Sequence, residues 1–330
     1  MRIFLQYGVK TATVSIVSND FVKITIPMKD GWKAGQHYFI RVFGLGVHGM
    51  TTHPFTACSL PGATCSSINE LIFYIRPQGG FTARLARRAQ QHPNTSMKVL
   101  LDGPYGGTDM RKVFTSQNTM AIAGGSGAGW LLPLIEAFLR RDEHQITVRA
   151  TDSHEDRNVE IDRRASMRVI LVTRDMLTRD WFEQAVTELL TDKLGGYRCD
   201  QLSVDIYYTG HEEQTATLPS SKREEDKSEV SNESARSEMN VSSANGHRLK
   251  EVASDAIRAA LTPKHVSQRP NLPAIIAEAT EHSGESMSVL LCGPLSMQND
   301  VSNAVARAQT GSMKDGKGDV YLHMEHFSWA

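Results

Sequence analysis

The sequence predicts two modules in series, an antiparallel β-barrel followed by an α/β doubly wound parallel sheet. Two observations predict this. The first hundred residues hold six short β-branched or aromatic runs and a single helical one, the pattern of a small closed barrel. From about residue 115 strand-like and helix-like runs alternate, the pattern of a parallel sheet covered by helices. The expected division is 1–112 for the barrel and 113–330 for the sheet.

The barrel strands are expected at 9–17, 21–27, 36–43, 54–60, 70–77 and 96–104, set apart by Asn-Asp, Lys-Asp-Gly, Gly-rich and Pro-Gly turns. In the second of these Val22, Ile24 and Ile26 alternate with polar residues, so one face is buried. The helical run is 81–91. In the second module buried strands are expected at 119–125, 167–175, 202–210, 286–294 and 319–325, with helices at 130–141, around Trp181 to Leu190, at 272–280 and at 296–309. Two stretches do not fit a packed core. Residues 142–164 are dominated by charge, and residues 211–268 are rich in Ser, Glu, Lys and Asn. Both are expected to be disordered insertions.

A chain of 330 residues has room for two domains. A formal net charge of −1, with 40% hydrophobic and 22% charged residues, gives no electrostatic reason to expect nucleic acid or an acidic membrane as partner. Cys58, Cys65, Cys199 and Cys292 form no CxxC pair, so neither a zinc site nor a disulfide framework is expected, and reduced thiols in cytosol fit best. The most apolar window, 120–139, carries Gly124, Gly125, Gly127, Gly129, Pro133 and Glu136. It reads as strand, turn and buried helix rather than as a membrane span.

Four constellations carry chemistry. AGGSGAGWLLP (123–133) is a Gly-rich turn between a buried strand and a helix, where backbone amides can approach a pyrophosphate. Trp130 stands where the third glycine of GxGxxG belongs, and a turn chosen only for packing remains the alternative. Arg174, at the end of the next strand, suits a 2′-phosphate and therefore NADPH. THPFTACSLP (52–61) places Thr56 beside Phe55, a hydroxyl for a flavin N5 and a ring for its face; Phe55 in the core and His53 on the surface is the structural alternative. QGGFTARL (78–85) opens a helix with amides at Gly80, Phe81 and Thr82, a second anion site unless Thr82 is only a cap. LLCGPLSM (290–297) puts Cys292, Gly293 and Pro294 at the carboxyl end of a parallel strand, where ligands bind in such sheets. With no basic neighbour in sequence, Cys292 is expected to pack beside the ligand rather than to act as a nucleophile.

Taken in order, HPFTACS, GGFT, DGPYG, AGGSGAG, VTRD, CGPLSM and the terminal EHFSW resemble the dehydrogenase portion of fungal ferric-chelate reductases, relatives of the NADPH oxidases in the wider ferredoxin–NADP reductase group. The resemblance implies FAD on the barrel, with His53, Pro54, Phe55 and Thr56 around the isoalloxazine and ribityl chain and Gly80, Phe81 and Thr82 at its pyrophosphate. It implies NADPH on the sheet, with Gly125, Ser126 and Gly127 at the pyrophosphate, Arg174 at the 2′-phosphate and Arg269 near the adenosine. Cys292, Gly293 and Pro294 would lie beside the nicotinamide, and Phe327 would cover the flavin until nicotinamide displaces it. No metal ligand is implied.

The implied reaction is hydride transfer from NADPH to FAD, with single electrons passing on to haem and an Fe(III) chelate. Thr56, Cys292 and Phe327 are the residues at the reacting centre. Family members carry a haem-bearing membrane domain that the sequence lacks, so membrane contact is expected only through that missing domain and the chain itself is expected in the cytosol. A superoxide-generating oxidase, a soluble diaphorase and an inactive module that keeps the fold are the competing expectations.

Overall fold

A computed structural model describes residues 8–17, 21–62, 68–151, 165–193, 201–210, 261–264, 269–283, 286–315 and 318–325. Two six-stranded sheets follow one another along the chain.

The first sheet contains β1 (Val9–Ile16), β2 (Val22–Met28), β3 (Gln36–Val42), β4 (His53–Thr56), β5 (Asn69–Ile75) and β6 (Thr95–Gly106), in the spatial order β4-β3-β6-β1-β2-β5. Every pairing is antiparallel. Alternation decides the faces: Val22, Ile24, Ile26 and Met28 point inward from β2, and Leu71, Phe73 and Ile75 from β5. The sheet curls until its ends approach. There the Cys58 N–H donates to the Ile72 carbonyl at 2.8 Å, and the Ser59 hydroxyl bridges Glu70 and Ile72. The expected barrel is therefore a curled sheet, drawn together at its edges by a few bonds beyond β4. Helix α1 (Gly80–Gln91) buries Phe81, Leu85, Ala86 and Ala89, one helical face, in the same core.

A short helix, α2 (Met110–Val113), capped by the Asp109 carboxylate, leads into the second sheet. Its strands are β7 (Asn118–Gly124), β8 (Ser166–Thr173), β9 (Leu202–Tyr208), β10 (Leu261–Lys264), β11 (Met287–Cys292) and β12 (Val320–Glu325), in the order β10-β9-β8-β7-β11-β12. All pairings are parallel. Strands β7 and β11 are buried on both faces because helices cover both. Helices α3 (Ala128–Thr151) and α4 (Met176–Lys193) pack with Ala121, Val169 and Val204 on one side. On the other, α5 (Leu272–Ser283) and α6 (Leu295–Asp315) pack with Ile122, Ile170 and Leu291. After β7 the chain builds outward through β8, β9 and β10, then returns to lay β11 on the other side of β7. The crevice at the carboxyl ends of β7 and β11 is thus the switch point of the sheet.

Two expectations need correction. The backbone of 142–151 continues α3, so the first polar stretch is not an insertion from its start. Residues 261–264 form the edge strand β10, so the second stretch is not an insertion throughout. Hydrophobic pattern misses β10 because a four-residue edge strand needs no alternation to hold its place. The remaining residues of both stretches, 152–164 and most of 211–268, lie outside the described residues. Among the described residues no helix is long and apolar enough to cross a membrane.

Candidate functional site

A cleft of about 570 Å³ runs between the two sheets, within the ~300–1,000 Å³ usual for small-molecule sites. The barrel lines it with Phe39, Pro54, Phe55, Thr56, Arg76 and Thr82, and the second unit with Gly125, Ser126, Trp130, Thr178, Trp181 and Glu325.

Strand β4 supplies the first of these residues. Its register against β3 sets Thr56 opposite His37 and Phe55 opposite Tyr38. The Thr56 Oγ1 is fully buried and has no hydrogen-bond partner. A hydroxyl so placed is costly unless a bound group completes it. His53, on the same strand, behaves differently. Its ring stacks on Phe81 at 4.3 Å and its Nε2 lies 3.0 Å from Thr51 Oγ1. Burial, then the neighbouring His48, lowers its pKa, which favours the neutral ring.

The turn before α1 supplies the second group. Gly80 adopts φ +49° and turns the chain into the helix. The first amides of an α-helix, here those of 80–82, have no partner within it. The Phe81 side chain belongs to the barrel core, 3% exposed, so only its backbone can serve. The Thr82 hydroxyl is committed to the turn: it donates to Gly79 O at 2.9 Å and accepts the Gln78 N–H at 3.0 Å. The capping role and the anion-site reading of Thr82 therefore concern different atoms.

The switch point supplies the third group. Gly125 has φ +51° with open space where a Cβ would stand, so its backbone faces the cleft unobstructed. A Cβ on Gly127 would lie 2.8 Å from Cys292 Sγ and 3.0 Å from Cys292 O. Only glycine lets this turn settle on the end of β11. Gly293 and Pro294 border the same crevice: Pro294 Cδ stands 2.8 Å from where a Cβ of Gly124 would be. Cys292 itself is fully buried beneath Gly127. Desolvation, then the nearby Glu325 charge, pushes its thiol pKa well up, so it is a packing sulfur and no thiolate.

Arg174 follows β8 and is exposed, outside the cleft proper. Its neighbour Asp175 is fully engaged. One oxygen pairs with Arg76 across the cleft at 3.1 Å and the other accepts the Thr178 N–H at 2.9 Å. Arg269, also exposed, reaches Ser296 Oγ at 3.3 Å near the start of α6. Phe327 lies outside the described residues.

The sequence reading missed several cleft residues. Trp181 and Phe21 stack across it at 4.6 Å, Tyr74 tilts against Trp181 at 5.0 Å, and Arg76 is the only lysine or arginine among the lining residues. Cys58, too, lines the cleft. No local motif marks these positions. They meet because α4 of one unit packs on the β1–β2 connection and β5 of the other.

The cleft fits a flavin and a nicotinamide nucleotide: an unpaired hydroxyl on its barrel wall, a helix start on the barrel, and a glycine turn at the switch point of the sheet. The comparisons with known proteins agree. Residues 116–306 match the ferric reductase NAD-binding domain, and residues 6–109 match an FAD-binding domain. A "Probable cell surface ferric reductase kap2" of Aspergillus oryzae is 23% identical over 414 aligned positions, covering 99% of this chain and 52% of the relative. A "Probable ferric reductase transmembrane component" of Candida albicans is 34% identical over 130 residues, 38% of this chain and 18% of its own length. The chain thus spans about half the length of the first relative and aligns with less of the second. Among solved structures, a ferredoxin reductase of carbazole 1,9a-dioxygenase superimposes with TM-score 0.51 at 14% identity, covering 98% of this chain and 70% of that one. It shares the fold.

Proposed function

Because this chain belongs to the ferric reductase family, with its FAD-binding domain ahead of its NAD-binding domain, we propose that it moves a hydride from NADPH to FAD in the cleft and feeds single electrons to haem and an Fe(III) chelate. The observation that carries the reading is Thr56, whose Oγ1 is buried and unpaired and which lines one cleft with Thr82 of the barrel turn and with Gly125 and Ser126 of the switch-point turn. Bound FAD supplies the conversion of a two-electron donor into single-electron transfers.

The chain's own residues bind, orient and exclude water. The barrel, 1–112, holds FAD, with Pro54, Phe55 and Thr56 along the isoalloxazine and the amides of Gly80, Phe81 and Thr82 on the pyrophosphate. His53 supports this wall through Phe81. The second unit, 113–330, holds NADPH, with Gly125, Ser126 and Gly127 at the pyrophosphate and Cys292, Gly293 and Pro294 forming the floor beside the nicotinamide. Arg269 borders the adenosine. Trp130, Trp181 and Phe21 keep the cleft dry, and orientation supplies much of the acceleration.

The preference for NADPH follows from two neighbours. Arg174 is exposed and free to meet a 2′-phosphate, whereas Asp175, the one acid beside it, is occupied by Arg76 and Thr178 and does not offer itself to a ribose 2′-hydroxyl. The acceptor is inferred from the resemblance and from relatives whose names describe ferric reductases. To test the reading, the purified chain is loaded with FAD and its oxidation of NADPH and NADH is followed with ferricyanide. Yellow protein with a preference for NADPH is expected, and Arg174→Ala should raise KM for NADPH by about 10- to 100-fold while leaving NADH use unchanged. Failure to bind FAD sinks the proposal; an unchanged preference in Arg174→Ala sinks the assignment of Arg174.

A further inference from the structure

We propose that Asp175, a residue of the nucleotide-binding unit, is a positioning residue for the flavin held by the barrel, and that it acts through Arg76. The inference rests on the reading of the cleft as a flavin site.

Arg76 follows β5 directly and lines the cleft together with Gln78 and Thr82 of the turn into α1. It is the only lysine or arginine lining the cleft among the described residues. A pyrophosphate set against the start of α1 carries more negative charge than a helix terminus offsets, and Arg76 is the cation placed to meet it. A guanidinium has five N–H donors. One faces Asp175 Oδ1 at 3.1 Å, which leaves donors for phosphate oxygens.

Asp175 is a fixed anchor. Its Oδ2 accepts the backbone N–H of Thr178 at 2.9 Å and the Thr178 hydroxyl, and its own N–H donates to Thr173 Oγ1 at 3.1 Å. Thr178 is buried, 3% exposed. The carboxylate therefore cannot swing, while Arg76 is a long, flexible side chain 41% exposed. An ion pair this open contributes little to stability by itself. Its consequence is geometric: the second unit fixes the guanidinium at the cleft wall, beside the anion site of the first. Loss of Asp175 frees Arg76 to sample solvent, and its binding contribution falls with its ordering.

The test measures FAD affinity of the apoprotein by quenching of flavin fluorescence, with riboflavin as the phosphate-free control. Asp175→Asn is suited because asparagine still caps α4. We expect Asp175→Asn to weaken FAD about 3- to 10-fold and Arg76→Met about 10-fold or more. The double variant should be no weaker than Arg76→Met, and riboflavin affinity should not change. Unchanged or tighter FAD binding in Asp175→Asn overturns the inference, the latter by showing that Asp175 competes with phosphate for Arg76. Equal losses for FAD and riboflavin overturn it too, since they indicate general loosening of the cleft. If the unaltered chain binds no FAD, the reading of the cleft fails instead, which keeps the two failures apart.

Discussion

The indole of Trp181 stacks on the ring of Phe21 with centroids 4.6 Å apart and planes 13° from parallel. Phe21 enters β2 of the barrel and Trp181 belongs to α4 of the second unit, so the stack joins the two across the cleft. Both residues are buried, at 5% and 3% exposure. Nearby, Glu136 of α3 accepts the Leu60 N–H at 3.1 Å, and Arg140, bonded to Glu136, also reaches the Pro61 carbonyl. Trp181→Ala removes the largest side chain of this junction and should destabilise the fold by about 3–5 kcal/mol. Trp181→Phe keeps a stacking partner and should lose less than half of that. Chemical denaturation of both variants measures the difference, and equal losses would show that the stack itself matters little.

Thr56 allows stability and function to be separated. Its Oγ1 is buried and unpaired in the free protein, so Thr56→Val, nearly the same shape, removes a group that stabilises nothing there. The FAD-free variant should match the parent within about 1 kcal/mol. With FAD bound, hydride transfer should slow by about tenfold, equivalent to ~1.4 kcal/mol. Stopped-flow reduction by NADPH reads this directly. An unchanged rate would mean that the hydroxyl does not touch the flavin.

Gly127 makes a sharper prediction about the second unit. A methyl group there would meet Cys292 Sγ at 2.8 Å and its carbonyl at 3.0 Å, so Gly127→Ala must lift the turn from β11. Nucleotide affinity should fall at least tenfold, while FAD affinity stays near the parent value because the barrel is untouched. Titration with 2′,5′-ADP and with FAD separates the two. Cys292→Ala in the same chain should recover part of the loss by vacating the sulfur's space.

The residues that carry a local pattern were legible in the sequence. Val22, Ile24 and Ile26 alternate, and the turns at Gly80 and at 125–127 stand between a strand and a helix, so the strands and both glycine turns could be read without a structure. Residues whose role depends on distant neighbours could not. Phe21 and Trp181 are far apart in the chain and neither lies in a motif. Arg76 looks like a strand-end charge until Asp175 is placed opposite it. β10 is four residues long and holds its position through its pairing with β9, which no periodicity reports. The charged stretch after 141 reads as disorder by composition, yet its first part continues the helix begun by the apolar run before it.

Cys58 links the cleft to alkaline stability. It lies between the end of β4 and α3, where a Cβ on Gly129 would come within 2.9 Å of its sulfur. Desolvation by burial pushes its thiol pKa from 9.0 up to about 12. The folded state therefore holds this proton more tightly than the unfolded chain does. The associated stability is fully present below pH 9 and is lost as pH rises from there toward about 12, at up to ~1.4 kcal/mol per pH unit for one group. Cys58→Ala removes the titrating group, so the fall in stability between pH 8.5 and 10.5 (about two units, at the slope just given) should be shallower than in the parent. Cys292, raised in the same direction by burial, keeps part of the slope in the variant. Parallel stability–pH profiles for parent and variant would show that the Cys58 thiol already ionises in the folded protein. In that case alkylation of the native protein at pH 9 would modify Cys58 rapidly, whereas a thiol held protonated in the core resists it.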